Sequence, residues 1–311
     1  MKDRFSYDIV VIGGGIAGMT AGVYAARANR SCAILESNIT GGLANSTYIV
    51  ENYPSYTKVH GMDLMQKCRD QVDNLGVMVE EVCEITSMDL KGSPKIIETE
   101  EAVYEAKAVI IATGRKPIPL DVPTECAQVH HCAICDGAPY KGKRVLVVGG
   151  GNSAFDEGLY LKQLGVGHIT VVEVMDRLFA AQAAQESLFK EDGACSVDCC
   201  MTTFVKDLVL DENGDLRAAV LEDKESKETR TIDVDGVFVF LGQLPNSEMF
   251  KGVIDMDKAG YITANESMET NIPGVFSAGD INVKIFRQLT TAAADGTISA
   301  LMADRYIRSL G

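Results

Sequence analysis

The sequence predicts an α/β protein made of two Rossmann-like dinucleotide-binding domains, with the second inserted into the first. A glycine-rich stretch at residues 13–18 follows an apolar run and opens an alanine-rich segment, and residues 149–154 repeat this arrangement. Each is the strand, turn and helix that begins a dinucleotide-binding fold. Because the two glycine runs lie about one domain length apart, they indicate two separate modules and not an array of short repeats.

The other apolar runs predict the remaining strands and a final helix. The expected strands are residues 7–12, 32–35, 108–114, 143–148, 168–172 and 237–246. Residues 290–310 have helical periodicity and should pack against the first module. Proline-rich and turn-rich stretches place the domain boundaries near residues 117 and 246. We therefore expect one domain from residues 1–117 and 246–311, and an inserted domain from residues 118–245.

Composition excludes several classes of protein. The 311 residues carry a formal net charge of −15, which argues against a general nucleic-acid surface or an anionic-membrane surface. The N-terminus has no export-signal pattern, and no run reaches about 18 apolar residues, so we expect no membrane span and a cytoplasmic protein. In that compartment the nine cysteines should be mostly reduced, and any special ones should be catalytic, redox-active or metal-binding.

The first glycine run, Gly13 to Gly18, matches G-x-G-x-x-G in the required context. Its glycines allow a tight turn and the close approach of a pyrophosphate to a helix N-terminus. Glu36 lies at the end of the next strand, where a carboxylate accepts the hydroxyls of an adenosine ribose. The alternative is a purely structural glycine turn.

The second run, Gly149 to Ala154, is the G-x-G-x-x-A variant, and Glu173 follows at the corresponding distance. The alternative is that these glycines serve only packing, because a protein can keep such a fold after it has lost the ligand. Two dinucleotide folds in one chain suggest a flavin that holds electrons and a nicotinamide that delivers them.

Cys132 and Cys135 form a C-x-x-C pair followed by Asp136. This spacing lets two thiols close a small disulfide ring and commonly lowers the pKa of one thiol. Asp136 could exchange a proton during that chemistry, or it could be only a turn carboxylate. Zinc is the competing interpretation, and its further ligands would come from Cys195, Cys199, Cys200, His130 or His131. We predict no metal and ordinary thiols for that later cysteine cluster.

The motifs GGGIAGMTAGVYAARAN, GGLANSTYIVENYP, IIATG, CAICDG, VVGGGNSA, GVFSAGD and RQLTTAAADG stand in one order along the whole chain. In this the sequence resembles the low-molecular-weight thioredoxin reductases, a family of flavoprotein disulfide reductases. The resemblance implies that Cys135 faces the flavin, that Cys132 exchanges with a partner and that Asp136 is the acid–base residue. It also places the redox pair in the inserted domain. We further expect a homodimer.

The resemblance also implies the cofactor-binding residues. Those for FAD are Gly13, Gly15, Ile16, Ala17, Glu36, Gly42, Leu43, Asn52, Thr113, Gly114, Gly279, Asp280, Arg287, Gln288 and Leu289. Those for the nicotinamide nucleotide are Gly149, Gly151, Asn152, Ser153, Ala154 and Glu173. Leu43 stands where the family usually has glutamine, which removes a side-chain hydrogen bond near the flavin.

The expected electron donor follows from a second departure. The family's cationic segment for the 2′-phosphate of NADPH corresponds here to residues 173–179, and the expected cations are absent. Glu173 would repel a 2′-phosphate, so we expect NADH to be tolerated and NADPH to be rejected. The segment is similar to that of the NADH-dependent alkyl hydroperoxide reductase flavoprotein.

The leading hypothesis is an FAD enzyme that passes electrons from such a donor through the Cys132–Cys135 disulfide to thioredoxin or a thioredoxin-like protein. The first alternative keeps the flavin and the disulfide but takes electrons from ferredoxin or another protein. The second is a non-catalytic, flavin-bound redox sensor.

Overall fold

The computed structural model describes residues 2–47, 49–190 and 195–311. The chain divides into two compact units, one from Met1–Lys116 and Leu244–Gly311 and the other from Pro117–Gln243, here called unit 1 and unit 2. The α/β class with two Rossmann-like domains is confirmed.

The helices and strands follow one another in this order. The first are β1 (Asp3–Ile12), α1 (Ile16–Arg27), β2 (Cys32–Leu35), α2 (Gly61–Asn74), β3 (Met78–Glu80), β4 (Ile85–Asp89), β5 (Lys95–Thr99), β6 (Ala102–Ile111) and β7 (Arg115–Pro117). Next come β8 (Val129–His130), α3 (Ala133–Asp136), β9 (Arg144–Val148), α4 (Asn152–Gln163), β10 (His168–Val172), α5 (Gln182–Phe189) and β11 (Ser196–Cys200). The last are β12 (Thr203–Leu210), β13 (Leu216–Asp223), β14 (Thr229–Asp233), β15 (Gly236–Val239), β16 (Gln243–Pro245), β17 (Val275–Ser277) and α6 (Leu289–Ser309). Short 3-10 helices cover Gly42–Ser46, Ala138–Tyr140 and Glu248–Phe250.

Unit 1 is built on a sheet in the order β3-β2-β1-β6-β5-β4, with β17 also paired to β6. Its centre is parallel, and β4, β5 and β6 pair antiparallel. The carboxyl-terminal parts of the central strands, residues 9–12 of β1 and 108–111 of β6, are fully buried apolar runs, as expected where a sheet is covered on both faces. Helices α1 and α6 pack together over one face and bury the alanines and glycines between them. This arrangement brings the carboxyl ends of β1, β2 and β6 to one edge of the sheet, which is where ligands bind in open α/β folds.

Unit 2 has a fully parallel sheet in the order β11-β10-β9-β15-β8 and a separate antiparallel sheet of β12, β13 and β14. The small sheet packs one face onto the parallel sheet through a shared apolar cluster that includes Leu146, Val172 and Leu208. Among the described residues, no helix is long and apolar enough to cross a bilayer.

Two expected strands end earlier than their apolar runs. The run at residues 108–114 is the end of the longer strand β6, which stops at Ile111 before Gly114 takes a φ of 61°. The run at 237–246 contains β15, which ends at Val239, and then β16. In both places a glycine with positive φ turns the chain out of the sheet.

Candidate redox and cofactor site

The first glycine turn connects β1 to α1. The Gly13 amide donates to the Leu35 carbonyl at 2.8 Å. Gly13 has a φ of 108°, and a Cβ there would overlap the backbone carbonyl of Ala112, so a side chain does not fit. A Cβ on Gly15, by contrast, would meet no atom within 4 Å. The turn therefore leaves open space beside the first amides of α1, where a pyrophosphate can be bound.

Glu36 stands directly after β2, beside this turn. Its Oε2 accepts the Gly14 amide at 2.7 Å and its Oε1 accepts the Asn38 amide at 2.9 Å. The Ser37 hydroxyl also donates to Oε1, at 3.4 Å, so these bonds fix the carboxylate while Oε2 keeps a second lone pair. A half-buried carboxylate held in this way can accept the hydroxyls of a ribose.

Asp280 and Arg115 face each other in unit 1, with Arg115 Nη2 3.2 Å from Asp280 Oδ2. In the described part of the chain, Asp280 Oδ1 and Arg115 Nε are both buried without a hydrogen-bond partner. Buried polar groups in native proteins are normally bonded. One orphaned acceptor and one orphaned donor therefore fit a bound group that offers both hydroxyls and anionic oxygens, as the ribityl phosphate of FAD does.

The predicted FAD residues near the C-terminus lie around the start of α6. The Arg287 guanidinium stacks over the Tyr261 ring at 4.1 Å and donates to the Asp280 and Asn282 carbonyls. Gln288 is the N-cap of α6, and its Oε1 accepts the Asn52 amide group at 3.1 Å. These bonds fix the backbone at the edge of the predicted flavin site.

The remaining predicted FAD residues also belong to unit 1. The Gly279 amide donates to Asp295 Oδ2 at 3.0 Å, and the Thr113 hydroxyl donates to the Asn246 carbonyl at 2.7 Å. The others are Ile16 and Ala17 in α1, Gly42 and Leu43 in a 3-10 helix, Gly114 after β6 and Leu289 in α6.

The second glycine turn reproduces the first. The Gly149 amide donates to the Val172 carbonyl at 2.8 Å, and Gly149 has a φ of 122°. A Cβ on Gly151 would meet nothing within 4 Å, which leaves open space before α4. Asn152 and Ser153 are exposed at the first positions of that helix, and Ala154 is buried beneath them.

Glu173 is the counterpart of Glu36 in unit 2, but it is more deeply buried. Its side chain accepts the Met175 amide at 2.8 Å, and only 8% of the residue is exposed. A Cβ on Gly150 would lie 2.6 Å from Glu173 Oε2, so the carboxylate lies against the glycine turn. A carboxylate placed here can accept hydroxyls and opposes a phosphate.

The side chains that follow Glu173 are mostly apolar and exposed. Val174, Met175 and Phe179 are 39%, 43% and 51% exposed. Arg177 is the one cation within residues 173–179, and its guanidinium lies 5.0 Å from the centre of the Phe179 ring. The segment therefore presents an apolar surface with a single stacked cation.

Cys132 and Cys135 form a disulfide that spans the short helix α3, with 5.4 Å between their Cα atoms. Cys132 is the N-cap of this helix, and its Sγ accepts the Cys135 amide at 3.1 Å. Cys132 is buried and Cys135 is exposed. The amide that follows Cys132, that of Ala133, donates to Glu157 Oε2 at 2.7 Å.

Asp136 ends α3 and lies beside two aromatic side chains. Its Oδ2 is 3.5 Å from His130 Nδ1, and His130 Nε2 is 2.7 Å from the Tyr140 hydroxyl. Burial lowers the pKa of His130, although the Asp136 carboxylate opposes that shift. His130 also packs against Phe238, with 5.1 Å between the ring centres.

The remaining cysteines have ordinary surroundings. Cys195 and Cys200 are buried and Cys199 is exposed, and within the described residues none of the three forms a disulfide. Burial raises the pKa of Cys199 to about 11 and also raises that of Cys200, so both are protonated at neutral pH. In the part of the chain that the structure describes, no group of three or more His, Cys, Asp or Glu side chains is arranged to hold a metal ion.

Two dinucleotide-type units, one of them carrying a disulfide, define the class of flavoprotein disulfide reductases. The model of the pyridine nucleotide-disulphide oxidoreductases matches residues 7–296, and the chain belongs to this family. The resemblance inferred from the sequence motifs is confirmed, because full-length relatives are thioredoxin reductases.

Three relatives show how far the similarity extends. The chain is 37% identical to the thioredoxin reductase of Bacillus subtilis, over 100% of this chain and 98% of the relative. It is 42% identical to a 34.2 kDa protein in the rubredoxin operon of Clostridium pasteurianum, over 99% of both chains. The crystal structure of Lactococcus lactis thioredoxin reductase matches with a TM-score of 0.88 at 34% identity, covering 97% of this chain and 99% of that one.

The sequence gives no signal for the roles of three residues that the structure places in contact with predicted site residues or their neighbours. Arg115 pairs with Asp280, His130 contacts Asp136, and Glu157 bonds to the backbone beside Cys132. From the sequence, His130 is a candidate only for a zinc ligand. The second glycine turn predicts that Glu157 lies on the helix that follows it, which is α4. The contact of Glu157 with α3 depends on tertiary packing.

Proposed function

We propose that this protein is a flavin-dependent thioredoxin-disulfide reductase. The observation that carries the proposal is the Cys132–Cys135 disulfide, held in a short helix of one dinucleotide-type unit while the other unit has a site that fits FAD. The full-length similarity to thioredoxin reductases supports thioredoxin or a thioredoxin-like protein as the partner.

The residues for FAD are those of the first glycine turn, Glu36, and the Asp280 region. Glu36 would accept ribose hydroxyls and the amides after Gly15 would face the pyrophosphate. Asp280 Oδ1 would accept a ribityl hydroxyl and Arg115 Nε would donate to a phosphate oxygen. When bound, FAD would supply the hydride and electron-transfer chemistry that connects an electron donor to the disulfide.

The two cysteines have different surroundings, which supports different roles. A thiolate on Cys132 would accept the Cys135 amide, and such a bond favours the thiolate form needed to attack a partner disulfide. Cys132 is only 8% exposed in the disulfide form, so the attack requires this sulfur to become exposed after reduction. Cys135 is then the sulfur that receives electrons from the flavin, and Asp136 holds or gives the proton that balances the exchange.

For the electron donor, Glu173 supports NADH over NADPH. A buried carboxylate gains from two ribose hydroxyls, whereas a 2′-phosphate at the same place would meet a like charge. Arg177 stacks on Phe179 and is the one positive charge in this segment. We therefore propose NADH as the nicotinamide donor.

A protein donor such as ferredoxin is the second candidate. It is favoured by the exposed Val174, Met175 and Phe179, which offer no hydrogen bond to a nucleotide ribose. Mixing the holoenzyme anaerobically with NADH, NADPH or reduced ferredoxin and following the flavin absorbance separates the donors. Bleaching by ferredoxin alone would select this second candidate.

The experiment for the proposed function combines flavin content with trapping of the partner. Protein purified without added cofactor should release one FAD per chain on heating. The Cys135→Ser variant keeps Cys132 as a thiol. It should form a mixed disulfide with a thioredoxin whose first active-site cysteine carries a leaving group that a thiolate can displace. A flavin-free protein, or trapping only through Cys135, would contradict the proposal. If the reduced flavin passed electrons to no thioredoxin, only the hypothesis of a non-catalytic redox sensor would remain.

A further inference from the structure

Glu157 is a half-buried carboxylate that contacts the redox helix and has no part in the mechanism above. It extends from α4 and accepts the Ala133 amide at 2.7 Å, and it also accepts the Ile134 amide. These are the two amides that follow Cys132. The carboxylate therefore binds the backbone immediately next to one sulfur of the disulfide.

The charges around Glu157 do not neutralise it. Asp156 precedes it on α4, and α3 carries Asp136, which lies against His130 at the opposite end of that helix. On α5, which packs against α4, the one carboxylate is the exposed Glu186, bonded to Gln182. Strand β9, also packed on α4, contributes Arg144, which pairs with Asp233 and Asp235.

Burial raises the pKa of Glu157 to about 7, and the Asp156 charge acts in the same direction. The two amide bonds oppose this shift because they favour the ionised form. The group is thus balanced between its charged and neutral forms at neutral pH, and it binds the residue next to Cys132, whose sulfur becomes charged when the disulfide is reduced.

Reduction of the disulfide creates a second negative charge at this place. Two electrons and one proton convert the S–S bond into one thiol and one thiolate, and a dithiol reductant supplies the electrons as it closes its own disulfide. A thiolate on Cys132 and an ionised Glu157 repel each other across one residue of backbone. The cost is removed when Glu157 binds a further proton from solvent.

We propose that Glu157 is a positioning residue of the redox pair, which fixes the backbone after Cys132 and through its charge sets the acidity of the Cys132 thiol and the reduction potential of the pair. The inference rests on the proposed function for its biological meaning, since it describes the disulfide that passes electrons to the partner. Its physical content concerns the disulfide alone.

The test measures the potential of the pair in the holoenzyme without any nucleotide or thioredoxin. Wild type, Glu157→Gln and Glu157→Ala are equilibrated anaerobically with reduced and oxidised dithiothreitol, quenched with acid and alkylated, and the Cys132–Cys135 peptide is quantified by mass spectrometry. Asp156→Asn is the matched control, because it removes the adjacent exposed carboxylate that makes no bond to α3. A parallel series follows the rate at which Cys132 is alkylated as a function of pH.

Removing the charge should stabilise the thiolate. In Glu157→Gln we expect the Cys132 thiol pKa to fall by about one unit. The equilibrium should shift toward the reduced pair by about tenfold at pH 8.5, which is about 30 mV less negative. The shift should disappear at pH 5.5, where wild-type Glu157 is protonated. Asp156→Asn lowers the pKa of Glu157, but at pH 8.5 and pH 5.5 the ionisation of Glu157 stays the same, so this control should match wild type at both values.

Three results would overturn the proposal: an unchanged potential in Glu157→Gln, an equal shift in Asp156→Asn, or a shift that is the same at both pH values. A shift in Glu157→Ala without one in Glu157→Gln would also overturn it, since the hydrogen bond and not the charge would then matter. Thioredoxin turnover is measured separately. The potential of the cysteine pair can therefore be interpreted even if the protein does not reduce thioredoxin.

Discussion

The Asp136 carboxylate lies 3.5 Å from the His130 ring, whose other nitrogen is 2.7 Å from the Tyr140 hydroxyl. Burial keeps the pKa of His130 below its usual value, so the imidazole is neutral at neutral pH. A neutral ring that donates from Nδ1 to Asp136 must accept the Tyr140 hydroxyl at Nε2. The acid–base residue implied by the sequence resemblance is therefore oriented by a chain of two further side chains.

His130→Ala should slow reduction of thioredoxin by about tenfold, because a positioned proton-transfer group contributes at least that much. The loss should appear in the turnover number, since the flavin site and the partner-binding surface are unchanged. His131→Ala is the control, because that ring contacts the Val239 carbonyl and not Asp136. Equal losses in both variants would mean that His130 acts only through the fold.

The pH dependence of stability should carry the signature of Glu157. Its folded pKa of about 7 lies above the unfolded value of about 4.3, so the folded state holds the proton more tightly. Stability is therefore lost as the pH rises from the unfolded pKa to the folded pKa, and it stays low above that range. Glu157→Gln should be more stable than wild type by on the order of 2 kcal/mol at pH 8 and equal to it near pH 4.5. Urea unfolding at both pH values measures the difference, and a gap of the same size at both would refute the assignment.

Glu36→Ala should weaken FAD binding by about 10–100-fold, because it removes the acceptor of two ribose hydroxyls. Glu36 also accepts the Gly14 and Asn38 amides, so the variant is compared with wild type by thermal unfolding of the apoprotein. Fluorescence titration of that apoprotein with FAD gives the Kd. Unchanged affinity would exclude Glu36 as the ribose residue.

Glu173→Gln should narrow the preference for NADH over NADPH by at least about tenfold, because it removes a like charge from the place of the 2′-phosphate. The rates of flavin bleaching by each nucleotide are measured anaerobically by stopped flow. Asp176→Asn is the control, since it removes an exposed carboxylate from the same segment. Faster bleaching of the wild type by NADPH than by NADH would contradict the charge argument directly.

Much of the fold could be read from short-range patterns. The strands at residues 32–35 and 168–172 have the predicted limits because continuous apolar runs end there at a charged or turn residue. The final helix is displaced by one residue at each end, from 290–310 to Leu289–Ser309. The antiparallel sheet of β12 to β14 was not predicted, because its alternation is interrupted by register shifts near Asp207 and Leu210.

The residues of the candidate sites also differ in how well the sequence predicts them. The glycine turns and the cysteine pair have local signatures, because each depends on backbone geometry within a few residues. Arg115 and Asp280 are separated by 165 positions, and Ala133 and Glu157 by 24, so these contacts arise only when the elements pack. Asp8, Glu98 and the many other surface carboxylates look the same in the sequence as Glu157.

The central claim is that electrons leave the flavin through Cys132 and Cys135 to a thioredoxin. It is tested without reference to the natural donor by reducing the holoenzyme anaerobically with a stoichiometric amount of dithionite and mixing it with oxidised thioredoxin in a stopped-flow instrument. We predict that the flavin is reoxidised and that one thioredoxin disulfide is reduced for every two electrons, and that Cys132→Ser and Cys135→Ser both abolish this transfer. Thioredoxin thiols that form at the wild-type rate in either variant, or no thioredoxin thiols in the wild type, would contradict the account.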